Sequence, residues 1–407
     1  MRPPAVSPPF LSFIQAGFEC SCLRFPDGRR LDLIASTGHD RWADRDYAAV
    51  ARHGMRTVRD GVRWHRVGQA PRSYDWSSLR DQVAAANVQG AQVIWDLCHY
   101  GWPDWLDIWS PRFPEEFARY AGAAARLLSN ESRVAPLYCP INEISYWAWA
   151  GGEVAHFGPG ATGRGAELKR QLVRAAIQAS DAILDADPAA RLVTAEPLIA
   201  IHPRAPSEDE AASAAHAAQF EACDMLSGRR DPGLGGEEKY LDIVGLNYYP
   251  HNQWQLGGPM ISVAHAQYRP LRELLAVAAG RYGRTIFIAE TGAEGDERAS
   301  WLRYVADEVA HAMLSGVPVA GICLYPVTDY PGWEDDRPCP TGLFGAPSAE
   351  GDRPLHAAYS AEVLRQMRRF AAYDAAPTGA GPDGELTASP QTSEGCHEAS
   401  RGCGHAG

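Results

Sequence analysis

Two glutamates in the chain each follow closely on a short apolar run: Glu143, in Cys139-Pro140-Ile141-Asn142-Glu143, and Glu290, in Ile286-Phe287-Ile288-Ala289-Glu290. A pair of carboxyls suits chemistry at a glycosidic centre. One, protonated, donates to the leaving oxygen, and the other, ionised, works on the far side of the anomeric carbon. Other apolar runs end in polar groups too: Arg59 and Asp60, His99 and Tyr100, Glu196, Asn247-Tyr248-Tyr249, and Tyr325 with Asp329 and Trp333 beyond. Charges beside buried strands cost desolvation unless paired, so their accumulation at strand ends suggests a site. Either glutamate alone reads more readily as a salt-bridged loop residue than as a catalytic group, and an Asn-Glu dipeptide by itself specifies little.

The runs that would position these groups cover residues 55–58, 92–97, 134–141, 191–195, 241–246, 285–289 and 319–324. They are mostly unalternating, as expected of parallel strands buried on both faces. Helical patterns separate them. Pro114 opens one with Phe117, Tyr120, Ala124 and Leu128, while Leu168, Leu172, Ala176 and Ile183 stripe another. Ser300 is expected to N-cap a third, and Gly54 and Gly90 to C-cap the helices before their strands. With a weaker first run at 13–17, eight βα units point to an α/β chain forming a single (β/α)8 TIM barrel over residues 11–373. A doubly wound sheet is the competing architecture. In a barrel, reacting groups gather at the C-terminal ends of the strands, where these polar residues fall. Residues 1–10 read as a leader and 374–407 as a disordered tail whose Cys396, His397, Cys403 and His405 are incidental rather than a metal site.

Composition bounds the partners. With 45% hydrophobic and 22% charged residues in 407, the chain is ordinary globular protein. A net charge of -12 argues against nucleic acid or an anionic membrane, and no apolar run approaches the roughly 18 residues of a span. Pro3, Pro4, Pro8 and Pro9 break any signal-peptide core, so a soluble, cytoplasmic protein is expected, its nine cysteines reduced. Gly158, Gly160 and Gly163 form a G-x-G-x-x-G that follows no strand, and no Walker, HExxH or G-x-S-x-G motif occurs.

Six ordered motifs across residues 38–345 resemble glycoside hydrolase family 1, the β-glucosidase group of retaining barrel glycosidases. They are Gly54-Met55-Arg56-Thr57-Val58-Arg59 with Trp64-His65-Arg66, Leu97-Cys98-His99-Tyr100 with Trp105-Leu106, Pro140-Ile141-Asn142-Glu143, Asp242 to Tyr249, Ile286 to Gly292, and Gly342-Leu343-Phe344-Gly345. The resemblance implies Glu143 as general acid/base and Glu290 as nucleophile, kept ionised by Arg59 and oriented by Tyr249. It implies Asn142 on the sugar 2-hydroxyl, His99 and Asn247 on other groups of the sugar, Trp333 in an aromatic floor, a small-molecule glycoside or oligosaccharide as substrate, and no metal or organic cofactor. Departures fall at the glycone: Gly332 stands where the family has a hydroxyl-reading Glu, Tyr325 where it has Trp, Thr291 where it has Asn, and Glu19 is the nearest counterpart of its strand-1 Gln. Glu334, Asp335 and Asp336 argue against a phosphorylated glycone. Trp102, Trp105, Trp147 and Trp149 are candidates for the aglycone side or for core packing, and Glu196 for substrate contact or a supporting ion pair. A transglycosidase and a non-catalytic carbohydrate-binding barrel remain open beside the hydrolase.

Overall fold

The computed structural model describes residues 8–375; the first seven residues, the tail from 376 onward and its Cys396, His397, Cys403 and His405 lie outside the described residues. The barrel strands are β1 (Ile14–Gly17), β2 (Thr57–Gly61), β3 (Gln92–Asp96), β4 (Leu137–Cys139), β5 (Arg191–Pro197), β6 (Ile243–Asn247), β7 (Thr285–Thr291) and β8 (Val319–Leu324). All pair in parallel, and β1 bonds both β2 and β8, so the sheet closes and the doubly wound alternative is excluded. The helices after each strand are α1 (His39–Arg52), α2 (Ser77–Gln89), α3 (Arg112–Glu131), α4 (Gly165–Ala186), α5 (Asp209–Ala217), α6 (Leu271–Tyr282), α7 (Glu297–Leu314) and α8 (Ala357–Phe370). The chain is an α/β (β/α)8 barrel.

Two layers of apolar contact hold it. Ile94, Leu137, Cys139, Val193, Ala195, Ile243, Phe287 and Ala289 form one buried cluster from strands around the ring, with Phe10 against Phe287 at 4.9 Å. Positions two apart on a strand share a face, so Asp96, two beyond Ile94, shares that inner face at the strand's end. The second layer packs helices on the barrel's outside. On α3, Phe113, Phe117, Tyr120, Ala124 and Leu128 are buried at helical spacing, and Tyr120 stacks on Trp64 at 5.2 Å.

Several element boundaries differ from expectation. β2 starts two residues later than the apolar run and continues to Gly61, which places Arg59 and Asp60 inside the strand. The run at 134–141 yields only Leu137–Cys139 as strand. Helix α7 begins at Glu297 behind Asp296, so Ser300 is no N-cap; its hydroxyl donates back to the Glu297 carbonyl at 2.9 Å within the first turn. Gly54 (φ +82°) and Gly90 (φ +61°) do take left-handed conformations directly before their strands, as helix ends require. Among the described residues no helix is long and apolar enough to cross a membrane. The seven cysteines described are unpaired and buried.

Candidate active site

At the C-terminal mouth of the barrel lies a cavity of about 890 Å³. Glu143, Glu290, His99, Tyr249, Tyr325 and Trp333 all line it. Arg59, Asn142 and Asn247 do not: they are fully buried immediately behind its wall. Glu19, Tyr100 and Tyr330 also reach the cavity.

Glu290, on β7, is 4% exposed. Its Oε1 accepts from Arg59 Nη1 at 2.7 Å, and its Oε2 accepts from the Tyr249 hydroxyl at 2.8 Å. Burial raises its pKa to about 6; Arg59 opposes that rise and the nearby Glu143 adds to it. Arg59 is held in turn by Asp96, whose carboxylate it grips through Nε at 3.0 Å and Nη2 at 2.7 Å. Burial would push Asp96 up, but Arg59 and His99 hold it at about 2. An ionised Asp96 therefore anchors the guanidinium that faces Glu290.

Glu143 follows β4 in a left-handed conformation, φ +46° and ψ 58°. Six non-glycine residues among those described have positive φ, and two of them, Tyr100 and Glu143, meet in one hydrogen bond. The Tyr100 hydroxyl donates to Glu143 Oε2 at 2.5 Å and Asn247 Nδ2 donates to Oε1 at 2.8 Å. Main-chain bonds pin the turn: Glu143 N–H donates to the Ala195 carbonyl at 2.8 Å, and Asn142 N–H to that of Cys98 at 2.9 Å. Strained backbone fixed this firmly is common at functional sites. Burial raises the Glu143 pKa; Tyr100 and Asn247 oppose it, and Glu196 adds to it. In the coupled pair Glu290 touches a cation and Glu143 only neutral donors, so the shared proton rests on Glu143.

The two carboxyls flank one residue of β6. Asn247 pairs in register with Glu290, while its side chain donates to Glu143. The remaining candidates sort clearly. Asn142 has both amide atoms engaged, Oδ1 with Arg59 Nη2 at 2.6 Å and Nδ2 with His99 Nε2 at 2.7 Å. Glu196 is buried beyond the cavity wall and accepts from the Ser145 amide at 3.1 Å. Trp147 and Trp102 are core, Trp105 donates to the Gly68 carbonyl at 3.0 Å, and of the four tryptophans suggested for the aglycone side only Trp149 lines the cavity. Tyr100 was legible in the sequence as a polar residue closing the run before it, beside His99, but its bond to Glu143 was not. Glu19 accepts from the Ser21 amide at 3.0 Å and from the Tyr325 hydroxyl at 3.4 Å.

Cys20, Asp96 and His99 offer three possible metal ligands close together. Asp96 is already bidentate to Arg59, and burial pushes the Cys20 thiol up, away from the thiolate a metal needs. A guanidinium this near repels a cation, so the trio reads as a hydrogen-bonded support.

No protein-family model and no curated protein matches the chain by sequence. Solved structures do match in shape. The family 1 β-glucosidase from Thermotoga maritima superposes with a TM-score of 0.73 at 14% identity, covering 90% of this chain and 99% of the other. The β-glycosidase from the hyperthermophile Thermosphaera aggregans gives 0.71 at 18% identity, over 92% and 98%. The AHE enzyme from Alicyclobacillus herbarius gives 0.75 at 15% identity, over 89% and 99%. At such identities the likeness is one of fold: the chain shares the barrel of these three proteins over nearly their whole length.

Proposed function

We propose that the protein is a retaining β-glycosidase of the family 1 type. One observation carries this reading: two carboxyls face one cavity on either side of Asn247, one bonded to an arginine and a tyrosine hydroxyl, the other to neutral donors alone. Those environments pull the carboxyls toward opposite protonation states, as an acid and a nucleophile require. Glu290 attacks the anomeric carbon as the bond to the leaving oxygen breaks, and Glu143 gives that oxygen its proton. The resulting glycosyl ester is then opened by water, whose proton passes to Glu143 as the Glu290 carboxylate departs. Arg59 and Tyr249 keep Glu290 ionised and aimed. Among the described residues the only lysine or arginine lining the cavity is Lys169, which pairs with Glu221 at 2.8 Å, and this favours an uncharged glycone over a phosphorylated or uronic one.

The test is covalent trapping. Incubation with activated 2-fluoro-β-glycosides of gluco, galacto, manno, xylo and fuco configuration should give a stable adduct of one sugar, mapped to Glu290 by peptide mass. An adduct on another residue, or none from any sugar on folded protein, would remove the retaining reading.

A further inference from the structure

Glu290 does not stand where the plain alternation of β7 would put it. Phe287 and Ala289 both belong to the cluster inside the ring, so the residue after Ala289 should point out toward the helices. The strand pairing shows why it does not. On β6, consecutive Leu246 and Asn247 meet Ile288 and Glu290; on β8, Ile322 and Leu324 meet Ile288 and Thr291. Beyond Ile288, β7 therefore carries one residue too many against each neighbour. This bulge turns Glu290 to the cavity beside Ala289 and returns Thr291 to the helix side. A bulge interrupts its own ladder, so its shape depends on contacts from outside the sheet.

Thr291 supplies them. Its hydroxyl, 1% exposed, donates to the Tyr248 carbonyl at 2.7 Å and accepts from the indole N–H of Trp301, on α7, at 2.9 Å. The directions are forced, because a carbonyl only accepts and an indole only donates. Tyr248 is held at its other groups too. Its N–H donates to the Glu290 carbonyl at 2.9 Å, its ring stacks on Trp301 at 5.7 Å, and its hydroxyl accepts from Gln253 Nε2 at 3.0 Å. Tyr249 follows directly, and its hydroxyl donates to Glu290 Oε2 at 2.8 Å. Bulge and tyrosine are thus tied at one point, the peptide that joins Tyr248 to Tyr249.

We infer that Thr291, held by Trp301, is a positioning residue for Glu290: it ties the β7 bulge to the Tyr248–Tyr249 peptide and so keeps the Tyr249 hydroxyl on the carboxylate. Thr291 does not itself line the cavity. The glycosidase reading supplies the role of Glu290 as nucleophile; the tie rests on these bonds alone. Removing the hydroxyl at constant shape would leave a carbonyl and an indole N–H unpaired and let the peptide turn. The Tyr249 hydroxyl favours ionised Glu290, so its departure makes that carboxyl harder to ionise.

The experiment compares Thr291→Val, Thr291→Ser and Trp301→Phe with the unaltered protein, and Thr291→Val also in a Tyr249→Phe background. Infrared difference titration against Glu290→Gln follows ionisation of that carboxyl without substrate, and kcat/KM against pH follows it in turnover. Thr291→Val should move the titration and the acid limb upward by about one pH unit, and lower kcat about tenfold. Thr291→Ser, which keeps the hydroxyl, should behave as the parent. On Tyr249→Phe, Thr291→Val should cost less than about twofold more, since the phenol it aims is already gone. Two losses that multiply in full overturn the inference, and so does an unmoved titration in Thr291→Val or a serine variant as impaired as the valine. If melting curves show that Thr291→Val does not fold, Trp301→Phe decides. It should move the titration upward by a smaller amount, and an unmoved titration there overturns the inference. An unaltered protein that turns over no glycoside sinks the glycosidase reading, while the infrared titration still decides the tie.

Discussion

Five side chains form a single hydrogen-bonded chain through the site: Glu290 accepts from Arg59, Arg59 donates to Asn142, Asn142 donates to Tyr100, and Tyr100 donates to Glu143. Its direction is fixed because a guanidinium only donates. Asn142 must turn its oxygen to Arg59 and its NH2 to His99, whose Nε2 then accepts and whose proton stands on Nδ1, 3.3 Å from Asp96. Activity should follow a bell-shaped pH profile. Its acid limb falls as Glu290, at about 6, becomes protonated, and its alkaline limb falls as Glu143 loses its proton. The Tyr100 hydroxyl stabilises ionised Glu143, so Tyr100→Phe should move the alkaline limb upward and lower kcat/KM by about tenfold. A profile of kcat/KM against pH for the variant checks this, and an unmoved alkaline limb would remove Tyr100 from control of Glu143.

At the scale of elements, a break in register aims the residues. Along β6 and β7 the pairing shifts between Leu246 and Asn247, so Asn247 meets Glu290 rather than Ala289. Such irregularities redirect side chains at the rims of barrels. The same stretch contains Gly245, where an added Cβ would stand 2.3 Å from the Thr194 carbonyl oxygen and 2.7 Å from Ala289 Cβ. Backbone cannot yield as a flexible side chain can. Gly245→Ala should therefore destabilise by about 2–3 kcal/mol, seen as a melting temperature lower by several degrees, with kcat reduced as the β5–β6–β7 rim spreads. An unchanged melting curve would show that the strands accommodate the methyl. Gly332 differs: in the hairpin that joins Tyr330 to Cys339, its Cβ would lie 2.6 Å from Asp335 Oδ1, the exposed end of a flexible side chain that can turn away, so a larger residue at 332 is not barred by the backbone.

The whole molecule carries charged groups that pull its stability in opposite directions with pH. Glu196 is 4% exposed, and burial raises it to about 7, with the Ser145 amide opposing. The folded state thus holds its proton more tightly than the unfolded chain, and this stabilisation is lost as pH rises from the ordinary carboxyl range through about 7. His39 lies between Asp46 at 2.9 Å and Asp60 at 3.1 Å. Burial opposes its charge, but Asp60 and Asp46 raise it to about 9, so its contribution is intact below 6.5 and lost as pH rises through 9. Asp32 and Asp96, both held at about 2, contribute above their ordinary range and lose that contribution as pH falls toward 2. Glu196→Gln removes one alkaline cost. It should be more stable than the parent at pH 8, by an amount of order 3 kcal/mol, with no gain near pH 4. Melting temperatures of both proteins across that range check the sign, and an equal gain at both pH values would rule out titration as its cause.

The amino-acid sequence by itself determined the barrel and its two central carboxyls. Strands buried on both faces must be written as unbroken apolar runs, and a chain that places polar groups after such runs marks one end of the sheet as its working end. The glycines before β2 and β3 were legible because left-handed backbone favours glycine at helix ends. Tertiary structure alone decided the rest. The Arg59–Glu290 bond joins residues 231 apart and the Tyr100–Glu143 bond residues 43 apart. Local periodicity holds no information on such distances; closure of the ring does. For the same reason Trp147 is core and Trp149, two residues on, faces the cavity, and Asn142 is enclosed between Arg59 and His99 rather than open to the cleft. Which side of a short turn meets solvent depends on the neighbouring strands packed against it, and the sequence specifies those only through the completed fold.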